Sequence, residues 1–136
     1  MELSRQVREY LEQEGKSVFI ASSDAQGRVN VAMFGSVRLA PDGMVELMLG
    51  DNRTWSNLKE NGSAACMVTM HGTSGLSTKG CRLYLRLAEA KDEGADVEAF
   101  RERLAARIGK AADMMRHLVR FEVVEARPII DLGQGV

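Results

Sequence analysis

The chain has 136 residues, 45% of them hydrophobic, which is enough for one packed core and too few for two. Its 18 basic residues against 19 acidic ones leave a formal net charge of −1, so no overall sign draws it to nucleic acid or to an anionic membrane. No long uncharged apolar run occurs and the opening MELSRQVREYLEQEG has no signal-peptide core, so the expectation is a cytoplasmic protein with no membrane partner.

Ser4 is placed to cap a first helix, in which Val7, Tyr10 and Leu11 share one stripe and Gly15 supplies the stop. From Ser17 the period changes to two. SVFIASSDAQGRVNVAMFGSVRLAPDGMVELMLG reads as three strands joined by DAQG and APDG, because glycine accepts the positive φ of tight turns. In the middle run, Val29, Val31, Met33, Gly35, Val37 and Leu39 make one apolar face. The other face carries Asn30, Ala32, Phe34, Ser36 and Arg38. That second face is either simply wet or lines a groove for a flat ligand with polar edges, with Phe34 or Met33 near a ring.

Thr54 then starts a short helix closed by ENG, with Asn61 and Gly62 as a left-handed exit. AACMVTM and CRLYLRLAEA read as two more strands around the loop HGTSGLSTKG. EGADVEAFRERLAARIG follows as a helix with Val97, Phe100, Leu104 and Ile108 on one stripe, and HLVRFEVVEARPII returns to strand. Six strands, short turns and no alternating βαβ rhythm predict one domain over residues 1–136. Its class is mainly β with flanking helices (α+β), a closed or nearly closed six-stranded antiparallel barrel.

The polar stretch GDNRTWSNLKENG carries the clearest chemical signal. The first N–H groups of a helix lack partners and face the positive end of its dipole, so Arg53, Thr54 and Asn57 at this start suit a phosphate. The plainer alternative is that Thr54 only caps the helix while Arg53 points into water. Other signals are weaker. Gly75 to Gly80 gives GxxxxG, but Cys81 and a strand follow, which is not a P-loop. Cys66 and Cys81 read as buried strand thiols, His71 and His117 as isolated, and Glu89, Asp92 and Glu93 as a solvated hairpin edge. Trp55, the sole tryptophan, reads equally as helix packing or as part of an interface.

The order of elements, the first hairpin SVFIASSDAQGRVNVAMFGSV and above all RTWSNLKENGSAA together resemble the FMN-binding split-barrel proteins related to pyridoxamine 5'-phosphate oxidase, particularly the short members. The family's helix start has a basic residue, then Thr, then Asn three positions on, then a Leu or Ile and an ENP-like exit. Here these are Arg53, Thr54, Asn57, Leu58 and ENG. The resemblance implies a split barrel of FMN-binding type, a homodimer with FMN in a groove between subunits, and phosphate held by Arg53 and Thr54 with Asn57 nearby. It also sets the isoalloxazine ring against Val31 to Arg38, with Phe34 or Met33 near the ring and Ser36 and Arg38 at its polar edge. The chain departs from the family at Arg86, where a small residue is usual, and EARPIIDLGQGV lacks the substrate-holding Arg and His of the vitamin B6 oxidases. The activity implied is that of an FMN-dependent flavoprotein oxidoreductase acting on a small acceptor, with NADPH or NADH as candidate donor. The alternative is a non-enzymatic module: an FMN carrier, an electron-transfer protein, or a barrel for heme or another flavin.

Overall fold

The computed structural model describes residues 1–136. In chain order they form α1 (Arg5–Glu12), β1 (Lys16–Ser23), β2 (Val29–Phe34), β3 (Arg38–Leu39), β4 (Val45–Leu49), α2 (Arg53–Glu60), β5 (Ser63–Met70), β6 (Gly80–Lys91), α3 (Ala95–Ile108) and β7 (His117–Pro128). All strands join one antiparallel sheet, in the order β2-β1-β5-β6-β7-β4-β3. Its two end strands, β2 and β3, are separated in the chain only by Gly35, Ser36 and Val37, so the sheet must curl until its ends meet. Ser36 fastens the meeting point. Its hydroxyl donates to the Met48 carbonyl at 3.3 Å and accepts from the Met48 N–H at 3.2 Å.

The sheet has seven strands where the sequence predicts six. The run from Val29 to Leu39 is not continuous, because its ladder with β1 ends at Val18↔Phe34 and the chain then crosses to β4, which it meets at Arg38↔Glu46. The turns come out as expected: Gly27 and Gly43 take positive φ in DAQG and APDG, and Ser4 caps α1 by accepting from the Val7 N–H. Helix α1 ends at Glu12, ahead of Gly15, and the ENG exit is not left-handed. Asn61 is extended there, and its side chain is spent on Ser23 Oγ at 2.8 Å and the Ser63 N–H at 3.1 Å, which steers the chain straight into β5.

Ile20, Leu47, Val68, Leu83 and Phe121 meet inside the barrel, each fully buried at about 1.5–3 kcal/mol of transfer free energy. A smaller cluster lies outside it, where Val97, Phe100 and Leu104 of α3 cover Met48 and Leu118; Ile108, expected on the same stripe, is exposed beyond the edge of this contact. Every residue of β4 is therefore buried. Cys66 and Cys81 sit in the inner core, where burial pushes their thiols up to about 12 and about 11, so both are inert. Gly80, at φ +152°, has no room for a side chain, since a Cβ there would collide with the Val68 carbonyl oxygen.

Strand β2 overturns the reading of its second face as simply wet. The side with Asn30, Ala32 and Phe34 is half-buried, with Phe34 against the inner core, while the apolar side is the exposed one: Val29 84%, Val31 67% and Met33 65%. Period two says which side chains share a face and is silent on which face the core takes.

Candidate functional site

Helix α2 sits at the far end of β1 from α1. Asn57 Nδ2 donates to Ser22 Oγ at 3.2 Å, and Glu60 accepts from the Ala25 N–H at 3.3 Å. The helix cap is Asn52, whose side chain accepts from the Trp55 N–H at 2.9 Å; Thr54, expected as the cap, lies within the first turn. Capping two residues earlier lets an amide oxygen satisfy the third N–H and leaves the N–H groups at the very start without helical partners. Thr54 is 2% exposed and Asn57 6%, so both brace the helix against the barrel, and Asn57 also reaches the wall of the cavity at its start.

Arg53 is different. It is exposed, forms no ion pair and makes no side-chain hydrogen bond, and it lines a cavity of about 400 Å³ with Arg28, Ser56 and Asn57. Arg28 and Ser56 were not picked out in the sequence. Ser56 had a signal, its position one turn after Arg53, whereas Arg28 comes from the β1–β2 turn and joins only through the fold. Three acids line the same cavity, and two of them hold side-chain partners. Asp24 accepts from the N–H of Arg28 and from its guanidinium, which holds its carboxyl below the usual range, and Asp51 is lowered chiefly by its hydrogen bond with His117. What remains without an ionic partner at the mouth of α2 is the Arg53 guanidinium, the Glu60 carboxylate, which accepts only the Ala25 N–H, and the positive end of a helix.

His117, isolated in the sequence, anchors this region. It is 7% exposed and hydrogen-bonds Asp51 through Nε2 at 2.6 Å and Asp92 through Nδ1 at 2.7 Å. Its ring stacks on Trp55 with centroids 4.0 Å apart. Two of the hairpin-edge carboxylates are tied, Asp92 to His117 and Glu89 to Arg120 and Lys91, while Glu93 is exposed and without a partner. Trp55 itself is half-buried and packs on the core.

The residues expected around a flavin ring do not gather at this mouth. Phe34, Ser36 and Arg38 line a different cavity, at the opposite end of the β1–β2 hairpin, and the two linings share no residue. Ser36 is occupied by Met48, and Arg38 by Glu46 at 2.5 Å and by the Phe100 ring, 4.4 Å below its guanidinium. Met33 belongs to neither cavity and stands on the exposed apolar face of β2. Arg86 enters neither; it is exposed and paired with Glu122 at 2.7 Å, while its neighbour Leu85 fills the core.

No family model matches the sequence, and no curated protein matches it. Solved structures do. An FMN-binding protein from Syntrophomonas wolfei subsp. wolfei superposes with a TM-score of 0.78 at 25% identity, over 91% of this chain and 84% of that one. The heme storage protein HutZ from Vibrio cholerae gives 0.70 at 17% identity, covering 94% and 95%. A putative pyridoxamine 5'-phosphate oxidase from Lactobacillus delbrueckii gives 0.66 at 14%, covering 91% and 92%. No helix of the chain is long and apolar enough to cross a membrane. An antiparallel sheet curled on itself with three helices, shared at this extent with these structures, gives the chain the split-barrel fold that these FMN-binding and pyridoxamine 5'-phosphate oxidase-like proteins have.

Proposed function

We propose that the chain is a small FMN-dependent oxidoreductase, a single domain over residues 1–136 that works as a cytoplasmic homodimer and passes electrons or hydride from NADPH or NADH to a small acceptor. The observation that carries this reading is Arg53: an exposed, unpaired guanidinium at the start of α2, inside a cavity, in a fold shared with an FMN-binding protein. The donor set suits a phosphate. Arg53 supplies charge, Ser56 a hydroxyl and the helix start its free N–H groups, while buried Thr54 and Asn57 hold the turn in place. Ser36 and Arg38 drop out of the reading because each already has partners. Met33, on the bare apolar face of β2, would instead border the ring with a second subunit over it. Once bound, the flavin supplies the redox chemistry; the protein binds, orients and shields it.

A second reading, an FMN carrier without turnover, is favoured by the absence of any apolar side chain in the lining at the mouth, which leaves nothing there to hold an organic acceptor. Reduction by NADPH followed by turnover of a dye acceptor separates the two. The test of the site is a titration of FMN followed by quenching of its fluorescence. Arg53→Ala should weaken binding about tenfold, a loss of about 1.4 kcal/mol. Equal affinity in the variant removes Arg53 from the site.

A further inference from the structure

The second cavity, of about 830 Å³, opens near the start of β1, between α1, the crossing from β2 to β3, and α3. Its volume lies within the range of roughly 300 to 1,000 Å³ that holds organic ligands. The floor is apolar: Leu11, Val18, Val37 and Leu104 are buried there, and Phe34 and Leu39 half-buried.

The rim carries Lys16, Arg103 and Arg107, and none of the three is paired with a carboxylate. Arg103 and Arg107 are four residues apart on α3, a spacing at which like charges face each other and repel. Arg103 rests against the Phe100 ring, 5.1 Å from its centroid. Lys16 donates to the Gln13 carbonyl at 2.9 Å; burial lowers its pKa, Arg107 lowers it further, and Glu14 acts the other way. Glu12 and Glu14 also reach the rim without pairing with these cations, and Arg38 is already taken by Glu46. Three unpaired cations against two carboxylates leave an excess of positive charge above an apolar floor, which a molecule with one anionic head and an apolar tail would complete.

We propose that this cavity is a binding site for an amphipathic anion, an aliphatic chain ending in a carboxylate, with its tail over Leu11, Val18, Phe34 and Leu104 and its head between Lys16, Arg103 and Arg107. The site is separate from the mouth of α2 and does not depend on flavin binding.

Dodecanoate, titrated calorimetrically into the 136-residue chain below its micellar concentration, should bind at one site per chain. Dodecanol, with the same tail and no charge, should bind about tenfold more weakly or worse. The double variant Arg103→Glu/Arg107→Glu alters exposed positions, so its fold can be confirmed by circular dichroism, and it should lose about tenfold or more in dodecanoate affinity. Saturating FMN and Arg53→Ala should each leave the titration unchanged. Absence of binding, equal affinity for dodecanol, undiminished affinity in the double variant, or displacement by FMN would each overturn the proposal.

Discussion

Strands β2 and β4 both carry apolar side chains, and they end in opposite circumstances. Val45, Leu47 and Leu49 of β4 enter the barrel while Met48, on its outer side, is roofed by α3, so the strand is dry on both faces. On β2 the inner side is half-buried and Val29, Val31 and Met33 stand in water. The chain supplies a roof for one strand and none for the other. Adjacent exposed apolar side chains on an edge strand signal a surface that something else covers, here the proposed second subunit and the flavin between.

The contrast can be broken from either side. Leu47→Ala opens a cavity in the inner core and should cost about 2 to 5 kcal/mol in urea unfolding, the largest effect expected. Next comes His117→Ala, which removes two hydrogen bonds to carboxylates and the partner of Trp55; a loss of about 2 to 3 kcal/mol is expected, together with a red shift in fluorescence from the lone tryptophan. An unshifted spectrum would mean that the stack does not hold α2. On β2, Val31→Lys/Met33→Lys should change the unfolding of the individual chain by about 0.5 kcal/mol or less and convert a dimer to a monomer by light scattering. A dimer that survives both lysines would place the interface elsewhere.

The smallest effect concerns pH. Asp131 is held down to about 2, first by the Arg127 guanidinium and then by the Gly133 N–H, against about 3.9 in an unfolded chain. A carboxyl with a depressed folded pKa adds stability above its unfolded value and loses it as pH falls through the folded one. Acid titration from about pH 4 to pH 2 should therefore loosen the C-terminal tie, and Asp131→Asn should flatten that part of the curve.

What the sequence could say followed from local chemistry. The glycines of DAQG and APDG, the cap at Ser4 and the short helix after β4 are determined by residues within one turn of each other, and all appear in the fold. The break at Gly35–Val37 depends on which strand stands across the barrel, so a continuous alternation concealed it. His117 looked solitary because its partners lie 66 and 25 residues away and meet it only when β4, β6 and β7 align. The candidate phosphate group was legible as a cluster, yet its division of labour was not. Arg53 faces outward and Thr54 and Asn57 inward because of how the helix lies on the barrel, which no spacing along the chain encodes.

The bond pair between Ser36 and Met48 sets where this cylinder can breathe. Elsewhere around its girth neighbouring strands are laced by rows of amide bonds, while here one hydroxyl bridges the sheet ends ahead of the short β3 ladder. Such a seam is the weakest stave of the barrel, and solvent hydrogen should reach the Met48 amide through brief parting of the two edges while the strands on either side stay zipped.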